Sequence, residues 1–274
     1  MKIQKCAVIL AYALLVGCTP SGSRQELIRG MDPLEKDVFT SISEDQFQSR
    51  EFRASDGTAI PYRLLPPSRL RAGTSYPLVL QLHGSGGVGT DNVGQLDRLA
   101  KSWAMPEMRE RYQAFVLIPQ FPVRSANYGP VAPDQKSEPS EALNSAMELV
   151  HNFSSRHPVD RSKVYAVGFS MGGSAAWLSP TLEPSLFAAI VPISGIAPDD
   201  SLARIYRDLP TLVIHGGSDR ENPITSDRRF YESIKIAGGK KIILREYEGL
   251  DHQPPSDIYP GLWWRDWLFA QSRR

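Results

Sequence analysis

The serine of the pentapeptide G-F-S-M-G, Gly168 to Gly172, stands between a short apolar run, Val164 to Val167, and a helix-forming run, Gly173 to Leu182. A serine pushed out on a sharp strand-to-helix turn is a nucleophile elbow, and this makes Ser170 the expected nucleophile. Such a turn brings the backbone two residues before and two residues after the serine so close that a Cβ at either place would clash. Gly168 and Gly172 meet that need. The pattern by itself is weak, since it arises by chance on the order of 0.1 times in a chain of this length. Its place between strand and helix strengthens it.

A serine hydroxyl is a poor nucleophile until a base takes its proton, and imidazole is the side chain suited to that task. There are five histidines. His151 and His157 fall at the end of a helix and in the connection before the elbow strand, the wrong end of a parallel sheet, and are expected to be surface or capping residues. His83 opens H-G-S-G-G directly after a strand, where a histidine braces a loop. His215 ends a strand and begins a Gly-Gly turn, again a structural place. His252 is left, in a loop after the last strand and before the last helix, which satisfies the chain order Ser, acid, His.

The acid should lie between the two at a strand end, and Asp219 in H-G-G-S-D-R-E-N-P fits best, holding the imidazole tautomer and stabilising the imidazolium that forms. Glu221, nearer the following helix, and Asp251, adjacent to His252, are rivals. A tetrahedral intermediate also needs donors for its oxyanion, and losing one such donor costs about 3 to 4 kcal/mol. The backbone N–H groups of Met171, just after the nucleophile, and Ser85, in the His83 to Gly87 loop, are the candidates.

These residues have to be carried by a scaffold, and the chain alternates strands and helices. Phe47 to Ala54 and Ile60 to Leu65 flank Asp56-Gly57 and predict a β-hairpin. Strands are expected at 78–82, 115–118, 163–168, 188–193, 211–214 and 241–247. Helices are expected at 92–103, 139–153, 171–182, 223–236 and 259–271. The pattern predicts an α/β fold: a mostly parallel central sheet with an N-terminal hairpin and helices on both faces, its site at the carboxyl ends of the strands.

L-H-G-S-G-G-V-G-T-D-N, F-V-L-I-P-Q-F-P, G-F-S-M-G-G-S-A-A-W and the His215 to Pro223 segment together resemble the α/β-hydrolase esterases of the phospholipase/carboxylesterase or "predicted peptidase" type, near the polyhydroxybutyrate depolymerase and feruloyl esterase group. The resemblance runs from about Tyr62 to the C-terminus. It implies hydrolysis of carboxylic esters by Ser170, Asp219 and His252, with no cofactor. The segment around His252 is short for the family, and Phe121 to Ser140 matches no motif, which leaves the substrate open.

Ser194 to Leu209 has room only for a short helix, so no large lid is expected and the site should be open. Phe121, Arg124 and Tyr128, in the longest stretch without predicted structure, and Trp177, on the elbow helix, are candidates to line a substrate pocket. For Trp177, as for Trp263, Trp264 and Trp267, core packing is the stronger expectation. Two other functions use the same fold. A serine peptidase of the oligopeptidase type would carry a gating domain for which this chain has no room. A non-catalytic binding lipoprotein would not need all three of Ser170, Asp219 and His252.

Of the 274 residues, 31 are basic and 30 acidic, and no long basic block occurs, which argues against a nucleic-acid partner. Clustered His and Cys with ligand spacing are absent, so no metal is expected. Lys2 and Lys5 precede an apolar run, Cys6 to Val16, too short for the ~20 residues that span a bilayer and fit for an export signal. Leu15-Val16-Gly17-Cys18 resembles the lipobox of bacterial lipoproteins, which implies removal of residues 1–17, lipidation of Cys18 and a membrane anchor, with Thr19 pointing to the outer membrane. Residues 18–45 are polar and read as a tether with one short helix near Pro33 to Phe39, ahead of a single domain at 46–274. With Cys6 removed, no intramolecular disulfide can form.

Overall fold

A computed structural model describes residues 22–30, 39 and 42–273. Eleven strands occur in them: β1 (Arg24–Ile28), β2 (Gln48–Arg53), β3 (Ala59–Leu65), β4 (Tyr76–Leu82), β5 (Phe115–Pro119), β6 (Ala126–Tyr128), β7 (Ser137–Pro139), β8 (Val159–Phe169), β9 (Ala189–Ile193), β10 (Thr211–Gly216) and β11 (Ile242–Tyr247). The helices are α1 (Arg98–Ser102), α2 (Pro106–Arg111), α3 (Glu141–Arg156), α4 (Met171–Leu182), α5 (Thr225–Ile236) and α6 (Leu262–Phe269).

Nine strands form one sheet in the order β1-β11-β10-β9-β8-β4-β5-β3-β2. The pairs from β5 across to β1 are parallel, whereas β2 and β3 form the antiparallel hairpin that closes the other edge. Central strands such as F-V-L-I-P and A-I-V-P-I are apolar throughout and buried along their length, as a sheet covered on both faces requires. The core is accordingly split in two. One cluster packs Trp177, Phe153, Phe230 and Leu80 on one face, and the other packs Trp264, Phe47, Tyr165 and Val79 on the opposite face.

The fold expected from the alternation is therefore present, and the differences are local. Residues 24–28, expected within a tether, pair in parallel with β11 and extend the sheet. R-Q-E-L-I is polar because an edge strand alternates half-buried and exposed positions. The helix expected at Pro33 to Phe39 lies outside the described residues except for Phe39, whose buried ring meets Tyr259 edge-on at 5.1 Å. The signal segment and Cys18 also lie outside them. The helix expected from Asn92 begins only at Arg98. Asp91 caps a turn there through the Val93 and Gly94 amides, and Asp97 caps α1 through the Ala100 amide at 2.8 Å. Phe121 to Ser140 holds the two-stranded β6–β7 hairpin. Ser194 to Leu209 holds one seven-residue 3₁₀ helix, Asp200–Tyr206, and no cap. Among the described residues no helix is long and apolar enough to cross a membrane.

Candidate active site

The turn from β8 into α4 carries Ser170 at φ 57°, ψ −121°, a backbone conformation that side-chain-bearing residues seldom adopt. The surrounding backbone enforces it. Ser170 N–H donates to the Ile193 carbonyl at 2.9 Å. A Cβ on Gly168 would stand 2.3 Å from the Gly172 carbonyl oxygen, and one on Gly172 would stand 2.1 Å from that of Leu82. The elbow thus presses β8, α4 and the end of β4 together, and only glycine fits between them.

His252 follows β11, and its ring lies 5.0 Å from that of Phe169, the residue before the serine. Its Nε2 is 2.8 Å from Ser170 Oγ and its Nδ1 is 2.7 Å from Asp219 Oδ2. With Nδ1–H donating to the carboxylate, the Nε2 lone pair is left to accept the serine hydroxyl proton. Asp219 is itself fixed, its Oδ1 accepting the backbone N–H groups of Glu221 at 3.0 Å and Asn222 at 2.8 Å. Burial alone would raise its pKa. Hydrogen bonds from His215, His252 and the Asn222 amide outweigh burial and hold the carboxyl well below the usual range. The rivals stand elsewhere. Glu221 is largely exposed, 3.7 Å from Nε2, the nitrogen that faces the serine. The Asp251 carboxylate accepts from the Arg220 guanidinium and from the His252 backbone amide.

The H-G-S-G-G loop comes to the other side of the serine: a Cβ on Gly84 would lie 3.7 Å from that of Ser170. Ser85 opens a short 3₁₀ turn and Met171 opens α4, so neither N–H has an acceptor within its own helical turn. His83 braces this loop. Its Nδ1–H donates to the Gly84 carbonyl at 2.7 Å, and its Nε2 accepts the Phe121 amide at 3.2 Å. Burial lowers the His83 pKa, which keeps the ring neutral as that second bond requires.

Two of the pocket candidates are buried instead. Phe121 is fully covered and packs on the His83 ring at 5.3 Å. Trp177 is fully covered, its Nε1–H donating to Asp227 at 2.9 Å and its carbonyl accepting from the Tyr206 hydroxyl. Each is an aromatic side chain on an inward-facing position, where the core claims it before a ligand can. Arg124 and Tyr128 remain partly exposed on the β6–β7 hairpin, the guanidinium 4.7 Å from the ring centre. The remote histidines lie where the sequence put them: His151 pairs with Glu183 on the surface, and His157 stacks on Phe153 at the end of α3.

Sequence reasoning missed three supporting residues. Gln120 ties the strand end to the loop, its amide donating to Gly87 and Asp91 while its oxygen accepts the Asn92 amide. The two motifs L-H-G-S-G-G-V-G-T-D-N and F-V-L-I-P-Q-F-P are thus physically one unit. Asp227, in the first turn of α5, faces His215 Nδ1 at 2.7 Å, while His215 Nε2 faces the Asn222 carbonyl at 2.7 Å and Asp219 at 3.4 Å. Asn222 in turn donates to the Ser194 carbonyl at 2.8 Å. Both ring nitrogens of His215 meet acceptors, so the ring is an imidazolium. Burial works against that charge, and the Asp219 and Asp227 carboxylates overcome it, raising the pKa to about 9. The only advance signal was a histidine and an aspartate flanking one strand-to-helix loop.

The model of the phospholipase/carboxylesterase family matches residues 121–258, half of the chain, from the strand end through the elbow to the residues after His252. The chain belongs to this family of α/β-hydrolases. A thermostable esterase of known structure is 32% identical and superposes with a TM-score of 0.75, covering 84% of this chain and 64% of that one. NocK of Nocardia uniformis subsp. tsuyamanensis, whose name assigns it as an esterase, is 26% identical over 148 residues, 54% of this chain and 41% of that protein. The CE1 ferulic acid esterase of the anaerobic fungus Anaeromyces mucronatus shares the fold, with a TM-score of 0.59 at 14% identity over 84% of this chain and 94% of that one. The chain therefore spans less than two thirds of the length of these first two relatives.

Proposed function

We propose that the protein is a serine hydrolase of carboxylic esters. The observation that carries this reading is the continuous line of hydrogen bonds from Ser170 Oγ through both ring nitrogens of His252 to Asp219. Ser170 Oγ attacks the ester carbonyl carbon as its proton passes to His252 Nε2. The oxyanion is met by the Ser85 and Met171 N–H groups. Collapse expels the alcohol, which takes the proton from His252 and leaves an acyl-Ser170, and water then repeats the sequence to release the acid. Asp219 stays ionised throughout and stabilises the imidazolium.

The substrate follows from what flanks the serine. The insertion between β9 and β10 carries a seven-residue 3₁₀ helix, Asp200–Tyr206, too short to fold over the site as a lid. A long acyl chain needs a deep apolar groove to bury it at about 0.8 kcal/mol per methylene, and an amide leaving group needs better-placed protonation than an ester. Short-chain acyl esters with a bulky aromatic, sugar or hydroxyacyl alcohol part are the substrates proposed. The esterase names carried by the thermostable enzyme and NocK support ester hydrolysis, the coarser part of this reading. The residues before the domain add a location: export through residues 1–17, lipidation at Cys18 and retention on a membrane, the outer membrane in a Gram-negative cell.

The test is kcat/KM for p-nitrophenyl acetate, butyrate and palmitate beside a peptide anilide. Acetate and butyrate are expected to be cleaved best, and a preference for palmitate or for the anilide would overturn the reading.

A further inference from the structure

The amino-terminal ends of the strands, opposite the candidate active site, carry an unusual surface. Ile236, the last residue of α5, is 86% exposed, more than any other large hydrophobic side chain among the described residues. The turn that follows passes through Gly238 at φ +91° and Gly239 into Lys240 and Lys241, both exposed. Neighbouring charges are matched: Lys235 by Glu232, Arg245 by Glu26, Arg111 by Asp266. Lys240 and Lys241 have no ion-pair partner among the described residues. Beside them a groove of about 610 Å³ is lined by Gly22, Arg24, Lys240, Lys241, Trp263 and Trp267. The Arg245 guanidinium lies over the Trp263 ring at 3.9 Å, and the buried Trp263 indole N–H has no acceptor among the described residues.

The chain enters the fold at this same place. Ser23 Oγ donates to the Gly239 carbonyl at 2.9 Å, so the first described residues touch the lysine turn. From Gly22 back to Cys18 is four residues, a reach of at most about 14 Å. A lipid on Cys18 would hold this end of the sheet against the bilayer. An exposed isoleucine followed closely by exposed lysines, with indoles behind, suits a membrane interface, where indoles prefer the headgroup level and lysines meet anionic phospholipid.

We propose that the Ile236, Lys240 and Lys241 surface, with the Trp263 and Trp267 groove beside it, faces an anionic phospholipid bilayer. This rests on the lipidation reading of Cys18. Its consequence for the active site comes from strand polarity. Thr211 and Ile242 pair at the amino ends of β10 and β11, and Asp219 and His252 follow their carboxyl ends. Five strand steps at about 3.3 Å put at least about 17 Å of sheet between the bilayer and the triad. The site opens away from the membrane, onto dissolved esters rather than lipid.

The test uses the full chain, expressed and processed in a bacterial host, with Ile236→Cys or, at the catalytic end, Val131→Cys, which is 58% exposed. Intact mass reports acylation of Cys18 separately, and an acylated Cys18 leaves the introduced thiol alone to take an environment-sensitive dye. In phosphatidylglycerol–phosphatidylcholine vesicles carrying a spin-labelled quencher lipid, the dye at Ile236→Cys should be quenched severalfold more than the dye at Val131→Cys. Lys240→Glu and Lys241→Glu should each weaken binding to these vesicles by about fivefold. Equal, weak quenching at both positions in an acylated, vesicle-bound chain would overturn the surface while leaving the anchor. Selective quenching in a chain whose mass shows no lipid would uphold the surface and remove the anchor. A dye at Ile236→Cys shielded without vesicles, together with a doubled hydrodynamic mass, would mean that a second copy covers the surface and would also overturn the proposal.

Discussion

His215→Gln removes the buried cation that stands between Asp219 and Asp227 without emptying the space. In the wild type the folded-state pKa of His215 is about 9, against about 6.5 for a free imidazole. The folded state therefore binds a proton more tightly than the unfolded chain. The resulting stabilisation is complete below about pH 6.5 and is lost as pH rises through about 9, and its size is about 3 kcal/mol. The glutamine variant has no such group. It should be destabilised by about 3 kcal/mol or more at pH 6, because two buried carboxylates lose their counter-charge. Its stability should then stay nearly level where the wild type declines. Urea unfolding followed by tryptophan fluorescence at pH 6, 7.5 and 9 measures both slopes. Asp227→Asn, which removes one of the two carboxylates on His215, should show a reduced decline and provides a second readout should the glutamine variant fail to fold. Parallel slopes for wild type and both variants between pH 6.5 and 9 would refute a charged His215.

Further outcomes follow from the elbow and the base. His252→Ala should lower kcat by several orders of magnitude with the fold intact, while His151→Ala and His157→Ala, whose rings lie on Glu183 and Phe153, should stay near wild type; steady-state kinetics on p-nitrophenyl butyrate separates them. Gly172→Ala places a Cβ 2.1 Å from the Leu82 carbonyl oxygen, which the strand cannot yield, and should cost at least about 1–3 kcal/mol together with most of the turnover. Gly129→Ala, with open space around it, should change neither in the same thermal and kinetic assays.

What the sequence made legible was whatever depends on local pattern. The apolar run before Ser170 and the glycines around it bounded α4 at Met171–Leu182, as found. The Asp56-Gly57 turn located the hairpin. The order Ser, acid, His picked three residues 2.7 to 2.8 Å apart in succession out of a chain with four other histidines. What was hidden depends on pairing across long separations. β1 looks polar because it lies at an edge and is defined by β11, more than 200 residues away. Phe121 resembles a pocket aromatic until the His83 ring is seen to occupy its environment, whereas Trp177 packs in the core as its place on the elbow helix suggested. The Gln120 bridge and the His215–Asp227 pair join residues whose types suggest nothing singly. Periodicity reports which side of an element is buried, and only the assembled sheet reports what it is buried against.

The central claim is that Ser170 is the nucleophile and His252 its base. Intact mass spectrometry after exposure to a fluorophosphonate tests it most directly, with peptide mapping of the adduct. The account predicts one adduct per chain, mapped to Ser170, strongly slowed in His252→Ala and absent in Ser170→Ala although that variant unfolds at the wild-type temperature. An adduct that persists in folded Ser170→Ala, or that maps to another residue, would contradict it.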